Sequence, residues 1–174
     1  MAPLVIPDPA LILLVGAAGS AKSTLAARLF APDEILSSDA LRGVVSGDES
    51  DQAATRVAFS ILHRSLDRRL RAGQLTVIDA TNAAAVHRGP LLRRARAVGM
   101  PVVALVLDLP AVVVHGQNAG RARVVDPAVV DRHLGAIRLT VDGGHLVTEG
   151  FDQVVILRTP EELAAVEIER LPRT

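Results

Sequence analysis

A short apolar run that enters a glycine-containing turn limits the possible folds of this chain more than any other part of its sequence. Residues 11–15 read LILLV, and residues 16–23, which read GAAGSAKS, follow without a break. A continuous apolar run of this length is typical of a strand that is buried on both faces of a parallel sheet. Helical character from Ser23 to Phe30, closed by Pro32, then predicts the order strand, loop, helix.

The turn matches the phosphate-loop pattern GxxxxGK[ST] except at one position, where Ala21 replaces the second glycine and strains the loop if φ is positive there. In such a loop the backbone N–H groups hold phosphate oxygens, the lysine reaches the β- and γ-phosphates, and the hydroxyl binds Mg²⁺. The last two roles fall to Lys22 and Ser23, and the alternative is a turn without function. The predicted nucleotide-binding residues are Gly16, Ala17, Ala18, Gly19, Ser20, Ala21, Lys22, Ser23 and Thr24.

Lysine and cysteine usage narrows the chemistry further. Lys22 is the single lysine among 19 basic residues, so the NKxD motif with which a GTPase reads its base is absent. The chain has no cysteine, which excludes disulfides, thiolate catalysis and thiolate metal sites. No LSGGQ-like transporter signature is present either. Among phosphate-loop proteins, the class that remains is the small kinases, in which a carboxylate activates the accepting hydroxyl.

Apolar segments alternate with helical ones over the rest of the chain. The predicted strands lie near residues 34–36, 75–79, 102–109 and 153–157, and the predicted helices cover 51–72 after an N-cap at Ser50, 90–98, 111–138 with breaks near Gly116 and Gly120, and a segment from Glu161. This alternation predicts an α/β fold, a parallel sheet flanked by helices, in one domain over residues 1–174. Without a secretory signal or an apolar segment long enough for a bilayer, we expect a cytoplasmic protein and no membrane partner.

A polar segment follows the second predicted strand. Residues 37–43 read SSDALRG, and the carboxyl end of that strand lies on the same sheet edge as the phosphate loop. Asp39 is therefore predicted to reach an accepting hydroxyl, and Arg42, one turn away, to hold an anionic group of the acceptor. The alternative is that Asp39 is a helix N-cap and Arg42 an ordinary surface charge.

Four segments, LLVGAAGSAKSTLA, ILSSDALRGVVSGDESDQ, AGQLTVIDATN and EGFDQVVILRTPEE, together resemble one family over nearly the whole chain. The family is the 5′-hydroxyl polynucleotide kinase domain of bacterial polynucleotide kinase-phosphatases, which are P-loop proteins. The resemblance implies use of ATP and Mg²⁺ by Lys22 and Ser23. It makes Asp39 the general base on the 5′-hydroxyl and Arg42 the ligand of the phosphate on the 3′ side of the accepting nucleoside. It also places Gln52 near the acceptor.

The resemblance adds a metal-site residue and a lid. Asp79 stands in a Walker B-like position, where it orients Mg²⁺ through water, the alternative being a strand-end cap of the following turn. The family closes an arginine-rich helical lid over the ATP phosphates, which here corresponds to residues 111–126. Arg121 matches a lid arginine that binds ATP, Arg123 is displaced by one position, and Gln117 stands where an arginine is expected. Lid arginines neutralise charge on the transferring phosphoryl group.

Substrate and partners follow from the resemblance. It implies single-stranded or frayed 5′ ends of nucleic acid as substrate, phosphatase and ligase modules in a longer protein, and a homodimer as an allowed assembly. Exposed arginines offer phosphate contacts, although such residues are more often simply solvated; they are Arg64, Arg68, Arg71, Arg88, Arg93, Arg94 and Arg96. Two other functions stay open, namely a kinase for a small-molecule hydroxyl and a nucleotide-binding module with weakened catalysis, which the departures at Ala21 and Gln117 motivate.

Overall fold

A five-stranded parallel sheet forms the centre of the computed structural model, which describes residues 3–46 and 52–173. The strands are β1 (Leu4–Asp8), β2 (Leu11–Gly16), β3 (Ile35–Ser37), β4 (Thr76–Asp79), β5 (Val102–Leu107), β6 (Gln153–Leu157) and β7 (Ile168–Pro172). The helices are α1 (Lys22–Leu29), α2 (Ser38–Ser46), α3 (Gln52–Arg71), α4 (Ala85–Ala97), α5 (Ala111–Ala119), α6 (Pro127–Asp142), α7 (His145–Glu149) and α8 (Pro160–Ala165), with a 3₁₀ turn at Pro32–Glu34. Five strands pair in the order β3-β4-β2-β5-β6, which confirms the predicted α/β fold with a parallel sheet.

The sheet is covered on both faces, which explains why its central strands are apolar throughout. Every residue of β2 and of β5 is buried. Alternate residues of β2 face opposite sides, as strand geometry requires. One side packs against Leu66 of α3, Leu91 of α4 and Ile137 of α6, and the other against Ala26 and Phe30, in and after α1.

The parallel arrangement collects the polar turns at one edge. The phosphate loop follows β2, α2 follows β3, and the turn of residues 80–84 follows β4. Because β4 lies between β3 and β2, these three connections are neighbours. This edge of the sheet is therefore the place where a ligand is expected in an open α/β fold.

A second, two-stranded sheet was not predicted. β1 and β7 pair in parallel from Leu4 with Ile168 to Asp8 with Pro172. The last helix, α8, accordingly ends at Ala165 and the chain returns as a strand. Both strands are short and half exposed, so neither carries the continuous apolar run that marks the central strands.

Three predicted helices have different bounds in the structure. The helix predicted over residues 111–138 is two helices, α5 and α6, and Gly116 lies inside α5 rather than at a break. α4 begins at Ala85, five residues before the predicted start, and contains Pro90 in its second turn. The predicted N-cap Ser50 and the side chain of Gln52 lie outside the described part of the chain. Within that part, no helix has the length and apolar character needed to cross a membrane.

Candidate active site

The phosphate loop turns tightly between β2 and α1. Gly19 has φ 85°, and a Cβ there would come within 2.6 Å of the Val114 carbonyl oxygen and 2.9 Å of Asn118 Cβ. A Cβ on Gly16 would lie 2.5 Å from Ser20 Oγ. Both glycines are therefore required, Gly19 by its positive φ and its close contact with α5, and Gly16 by its contact within the loop.

Ala21 adopts the conformation that makes glycine usual at this position. Its φ is 66° and its ψ is 25°, in the left-handed region, where it precedes the first residue of α1. A methyl group in this region costs about 1–2 kcal/mol relative to a right-handed conformation. The strain anticipated for Ala21 is present in the structure.

Lys22 is held in the cavity wall by the loop itself. Its Nζ donates to the Ala17 carbonyl oxygen at 2.7 Å and to Ser20 Oγ at 3.5 Å. Burial lowers the pKa of Lys22 from 10.5 to about 8; Asp79 opposes the shift and Arg121 adds to it. An ammonium group that is poorly solvated in this way gains strongly from the oxygens of a phosphate.

Ser23 and Asp79 meet because β4 lies beside β2. Ser23 Oγ donates to Asp79 Oδ2 at 2.7 Å, and Asp79 is the last residue of β4. A hydroxyl and a carboxylate are hard oxygen ligands of the kind Mg²⁺ prefers when phosphates and water complete its coordination. The pair therefore fits the predicted metal site.

Asp39 and Arg42 lie on the first turns of α2 and form an ion pair. The interpretation of Asp39 as N-cap is wrong, since Ser37 Oγ accepts the hydrogen bond from the Ala40 backbone N–H. The helix begins directly at the end of β3, so both side chains face the same edge of the sheet as the phosphate loop. Their proximity to that loop is the arrangement expected from the sequence.

A cavity of about 660 Å³ brings these groups together. The segment of residues 120–126 between α5 and α6, here called the arginine loop, contributes Arg121 and Arg123 to its wall, and Gln117 of α5 also lines it. The predicted site residues in the wall are Ala18, Gly19, Ala21, Lys22, Ser23, Thr24, Asp39, Arg42, Asp79, Arg121 and Arg123. Gly16, Ala17 and Ser20 do not line the cavity but support the loop from within, where Ala17 and Ser20 are fully buried.

A second, smaller cavity of about 290 Å³ adjoins the first. Six residues line both cavities: Ser38, Asp39, Arg42, Ala80, Thr81 and His133. The rest of the wall combines one aromatic ring and three alanines with an amide and an imidazole; these residues are Phe59, Ala83, Ala84, Ala136, Asn82 and His87. A molecule in this cavity would lie beside the Asp39 carboxylate.

His133 lines both cavities and was not predicted to have a role. Burial lowers its pKa, with smaller effects from Lys22, Arg132 and His87, so the imidazole is neutral at pH 7. Its Nδ1 is buried and has no hydrogen-bond partner in the described part of the chain. The sequence shows no sign of this, because a single histidine that is not part of a metal-ligand pattern carries no information about whether it lines a cavity.

Arg88 was predicted to be one of the exposed arginines, and this is wrong. It is only 1% exposed and forms two hydrogen bonds to Glu149 of α7, at 2.6 and 2.8 Å. The remaining guanidinium nitrogen of Arg88, Nη1, donates to the carbonyl oxygens of Asn82 and Ala83. Arg88 therefore fixes the turn after β4, whereas Arg64, Arg68 and Arg71 are exposed as predicted.

Solved structures with the same fold include several kinases. A chain of the Pnkp1/Rnl/Hen1 RNA repair complex matches with a TM-score of 0.68 and 20% identity, over 79% of this chain and 47% of that chain. A sugar kinase from Janibacter sp. HTCC2649 matches with a TM-score of 0.59 and 20% identity, over 89% of this chain and 90% of the other. A gluconokinase from Sinorhizobium meliloti 1021 matches with a TM-score of 0.57 and 16% identity, over 92% and 89%.

These likenesses are of fold, and the chain spans about half the length of the RNA repair chain. A comparison with curated proteins gave no match. The family model AAA_33, described as an AAA domain, matches residues 11–142, which is more than half of the chain. The chain therefore belongs to the AAA_33 family and has the fold of a P-loop kinase.

Proposed function

We propose that this protein is a kinase that transfers the γ-phosphate of ATP to the 5′-hydroxyl end of RNA or DNA, with Mg²⁺ held by Ser23 and, through water, by Asp79. The observation that carries the proposal is the smaller cavity, part polar and part apolar, that joins the phosphate-loop cavity at Asp39 and Arg42. An acceptor bound there would lie directly beside the Asp39 carboxylate.

On the donor side, the phosphate loop and Lys22 bind the β- and γ-phosphates. Bound Mg²⁺ supplies charge neutralisation on these phosphates. Arg121 and Arg123 stabilise the charge that develops on the transferring phosphoryl group. These roles use only side chains that line the larger cavity.

On the acceptor side, Asp39 takes the proton of the attacking hydroxyl. The hydroxyl oxygen then bonds to the γ-phosphorus as the bond from that phosphorus to ADP breaks. The ion pair with Arg42 uses Oδ1 of Asp39, and the carboxylate accepts the proton on its other oxygen. Arg42 holds the phosphate on the 3′ side of the accepting nucleoside, since a guanidinium suits phosphate geometry.

The lining of the smaller cavity favours a nucleoside over a sugar. Phe59, Ala83, Ala84 and Ala136 offer apolar surface on which a flat base can pack. A polyhydroxylated acceptor would find partners on the polar part of the wall but would leave hydroxyls unpaired against these apolar residues, which is costly. Longer nucleic acid is the preferred substrate because Arg42 then meets a phosphate.

A small-molecule kinase is the second candidate. The sugar kinase and the gluconokinase each match this chain over about nine tenths of their own length, whereas the RNA repair chain matches over 47%. Their acceptors are single small molecules by name, and a cavity of about 290 Å³ also suits one such molecule. Association with phosphatase and ligase modules belongs to the first proposal, the polynucleotide kinase, and not to this second candidate.

The experiment is transfer of labelled γ-phosphate from ATP and Mg²⁺ to three acceptors: 5′-hydroxyl oligonucleotides of RNA and DNA, nucleosides with and without a 3′-phosphate, and gluconate. We expect labelled oligonucleotide from the parent protein and at least a hundredfold less from Lys22→Ala and Asp39→Asn. The matched control is Asp33→Asn, which removes an exposed carboxylate of the 3₁₀ turn and leaves transfer unchanged.

Arg42→Gln adds a substrate-dependent test. It should lower transfer to nucleoside 3′-phosphates strongly and transfer to plain nucleosides little, because only the former presents a phosphate to position 42. Labelled gluconate without labelled oligonucleotide would overturn the proposal in favour of the second candidate. ATP binding without transfer to any acceptor would instead indicate a nucleotide-binding module.

A further inference from the structure

Asn118 forms a two-way contact with the far end of the arginine loop. Its Nδ2 donates to the Val125 carbonyl oxygen at 2.7 Å, and its Oδ1 accepts from the Val125 N–H at 3.1 Å. One planar amide thereby satisfies both the donor and the acceptor of a single peptide residue. Among the side chains of this shape, only asparagine offers this combination at neutral pH.

The near end of the loop is anchored on the same residue. The Asn118 carbonyl oxygen accepts from the backbone N–H groups of Gly120 and Arg121, the latter at 3.2 Å. Asn118 thus holds both ends of a segment that carries Arg121 and Arg123. Its side chain is 2% exposed, so its hydrogen bonds do not compete with bulk water.

Asn118 also touches the phosphate loop. A Cβ on Gly19 would lie 2.9 Å from Asn118 Cβ and 3.0 Å from its backbone nitrogen. The residue that holds the arginine loop is therefore packed directly against the loop predicted to bind phosphate. Asn118 therefore contacts both the phosphate loop and the arginine loop, and residues of these two loops line the larger cavity.

We propose that Asn118 is a positioning residue that sets the arginine loop over the phosphate loop and so aims Arg121 and Arg123 at the phosphoryl group in transfer. The inference rests on the proposed phosphoryl transfer for its catalytic consequence. Its structural part, the order of residues 120–125, is independent of that function. Asn118 itself touches no reacting atom.

The test uses Asn118→Asp, which keeps the shape but replaces the amide by a carboxylate. When ionised, this carboxylate repels the Val125 carbonyl oxygen; when protonated, its O–H donates to that oxygen and restores the pair. We expect amide hydrogen exchange over residues 120–125 at pH 7.5 to be at least tenfold faster than in the parent. We expect kcat to fall at least tenfold with a smaller change in the KM for ATP.

The pH profile separates positioning from mere packing. The ratio of variant to parent kcat should rise as the pH is lowered from 7.5 to 5.5, because protonation restores the donor. Asn118→Leu should lose activity without this recovery. Ala119→Asp, which places the same charge on the exposed neighbouring residue, should behave like the parent at every pH.

Parent-like hydrogen exchange in Asn118→Asp would overturn the inference. So would faster exchange with an unchanged kcat, or a loss of kcat that does not recover at lower pH. If the parent protein transfers phosphate to no acceptor, the proposed function fails, yet the exchange measurement still tests whether Asn118 orders the arginine loop. A melting temperature for each variant identifies any that do not fold.

Discussion

Ala21 carries backbone strain at the start of α1. Its left-handed conformation, with φ 66°, costs about 1–2 kcal/mol, and glycine avoids that cost but adds roughly 0.4–1 kcal/mol of unfolded-chain entropy. We expect Ala21→Gly to raise the free energy of unfolding by about 0.5–1 kcal/mol in urea denaturation. Ala18→Gly, at a loop position where φ is not positive, should lower it. A loss of stability in Ala21→Gly would contradict the strain.

Lys22 costs stability because its pKa is lower in the folded protein than in the unfolded chain. With values of about 8 folded and 10.5 unfolded, the unfolded chain binds more protons between these pH values, so stability rises with pH in this window. Below pH 8 the full cost applies, roughly 3 kcal/mol at most. We expect Lys22→Met to be more stable than the parent at pH 7, by chemical denaturation, with a difference that shrinks towards pH 10.5.

Lys22→Arg is the control for this prediction, because it keeps a charge that does not titrate in the range. Its stability relative to Lys22→Met should therefore stay constant with pH. A parent-to-methionine difference that does not change between pH 7 and pH 10 would show that the ammonium is not destabilised by folding. The same burial would strengthen the attraction of this ammonium group for phosphate oxygens, so the cost in stability is consistent with the proposed role of Lys22.

The sequence predicted which residues the fold brings together where a motif fixes their spacing, while their roles stay a proposal. Lys22, Ser23 and Asp39 each follow a strand at a set distance, and the parallel sheet brings those strand ends together. Asn118 and His133 were missed because their positions beside the loop and the cavities depend on contacts between segments that no short pattern connects. Arg88 was misassigned because an arginine on a basic helix gives no sign that Glu149, 61 residues away, buries it.

At the level of elements, the turn after β4 depends on one buried ion pair. Arg88 is held by Glu149 of α7 while it donates to the carbonyl oxygens of Asn82 and Ala83. We expect Glu149→Gln to lower the free energy of unfolding by about 3 kcal/mol, because it leaves a buried guanidinium without its counter-charge. Urea denaturation measures this loss.

Two comparisons sharpen the prediction for Glu149→Gln. Glu167→Gln, at an exposed position between α8 and β7, should change stability by less than about 0.5 kcal/mol. The turn of residues 80–84 lines the smaller cavity along its whole length and the larger cavity only at Ala80 and Thr81. If the smaller cavity binds the acceptor as proposed, Glu149→Gln should also raise the KM for the acceptor more than the KM for ATP. Equal stability in the two variants would mean that the pair does not hold the turn.

Element boundaries failed where tertiary contacts override local signals. Pro90 suggested a helix start, yet α4 begins at Ala85 and gives up one helical hydrogen bond at Pro90, which has no N–H. Arg88 ties the turn before this helix to α7. Gly116 suggested a break, yet the helix continues to Ala119. Loop 120–126 forms instead where Asn118 supplies side-chain hydrogen bonds in place of helical ones.

At the scale of the whole molecule, β1 and β7 join segments that lie more than 160 residues apart. Pairing at this separation depends on how the intervening sheet folds, so a sequence pattern cannot reveal it. The two strands are tied to the main body by Arg170, which donates to both carboxylate oxygens of Glu34 at 2.7 and 2.9 Å and lies over the Phe30 ring. Arg170 thus holds the two-stranded sheet of β1 and β7, here called the minor sheet, against the 3₁₀ turn that precedes β3.

Arg170→Met tests how much the Arg170–Glu34 pair contributes to the free energy of unfolding and how this contribution depends on pH. The hydrogen bond from Arg170 lowers the pKa of Glu34 below its ordinary value of 4.5, so the pair stabilises the fold fully above pH 4.5 and progressively less as the pH falls through the lowered pKa. We expect the variant to be about 1–2 kcal/mol less stable at pH 7, with a smaller deficit at pH 3, in urea denaturation. Arg158→Met, which removes a 57% exposed partner of Asp108, should cost less than about 0.5 kcal/mol. A deficit in Arg170→Met that stays constant from pH 7 to pH 3 would show that packing on Phe30, rather than the charge pair, holds the minor sheet in place.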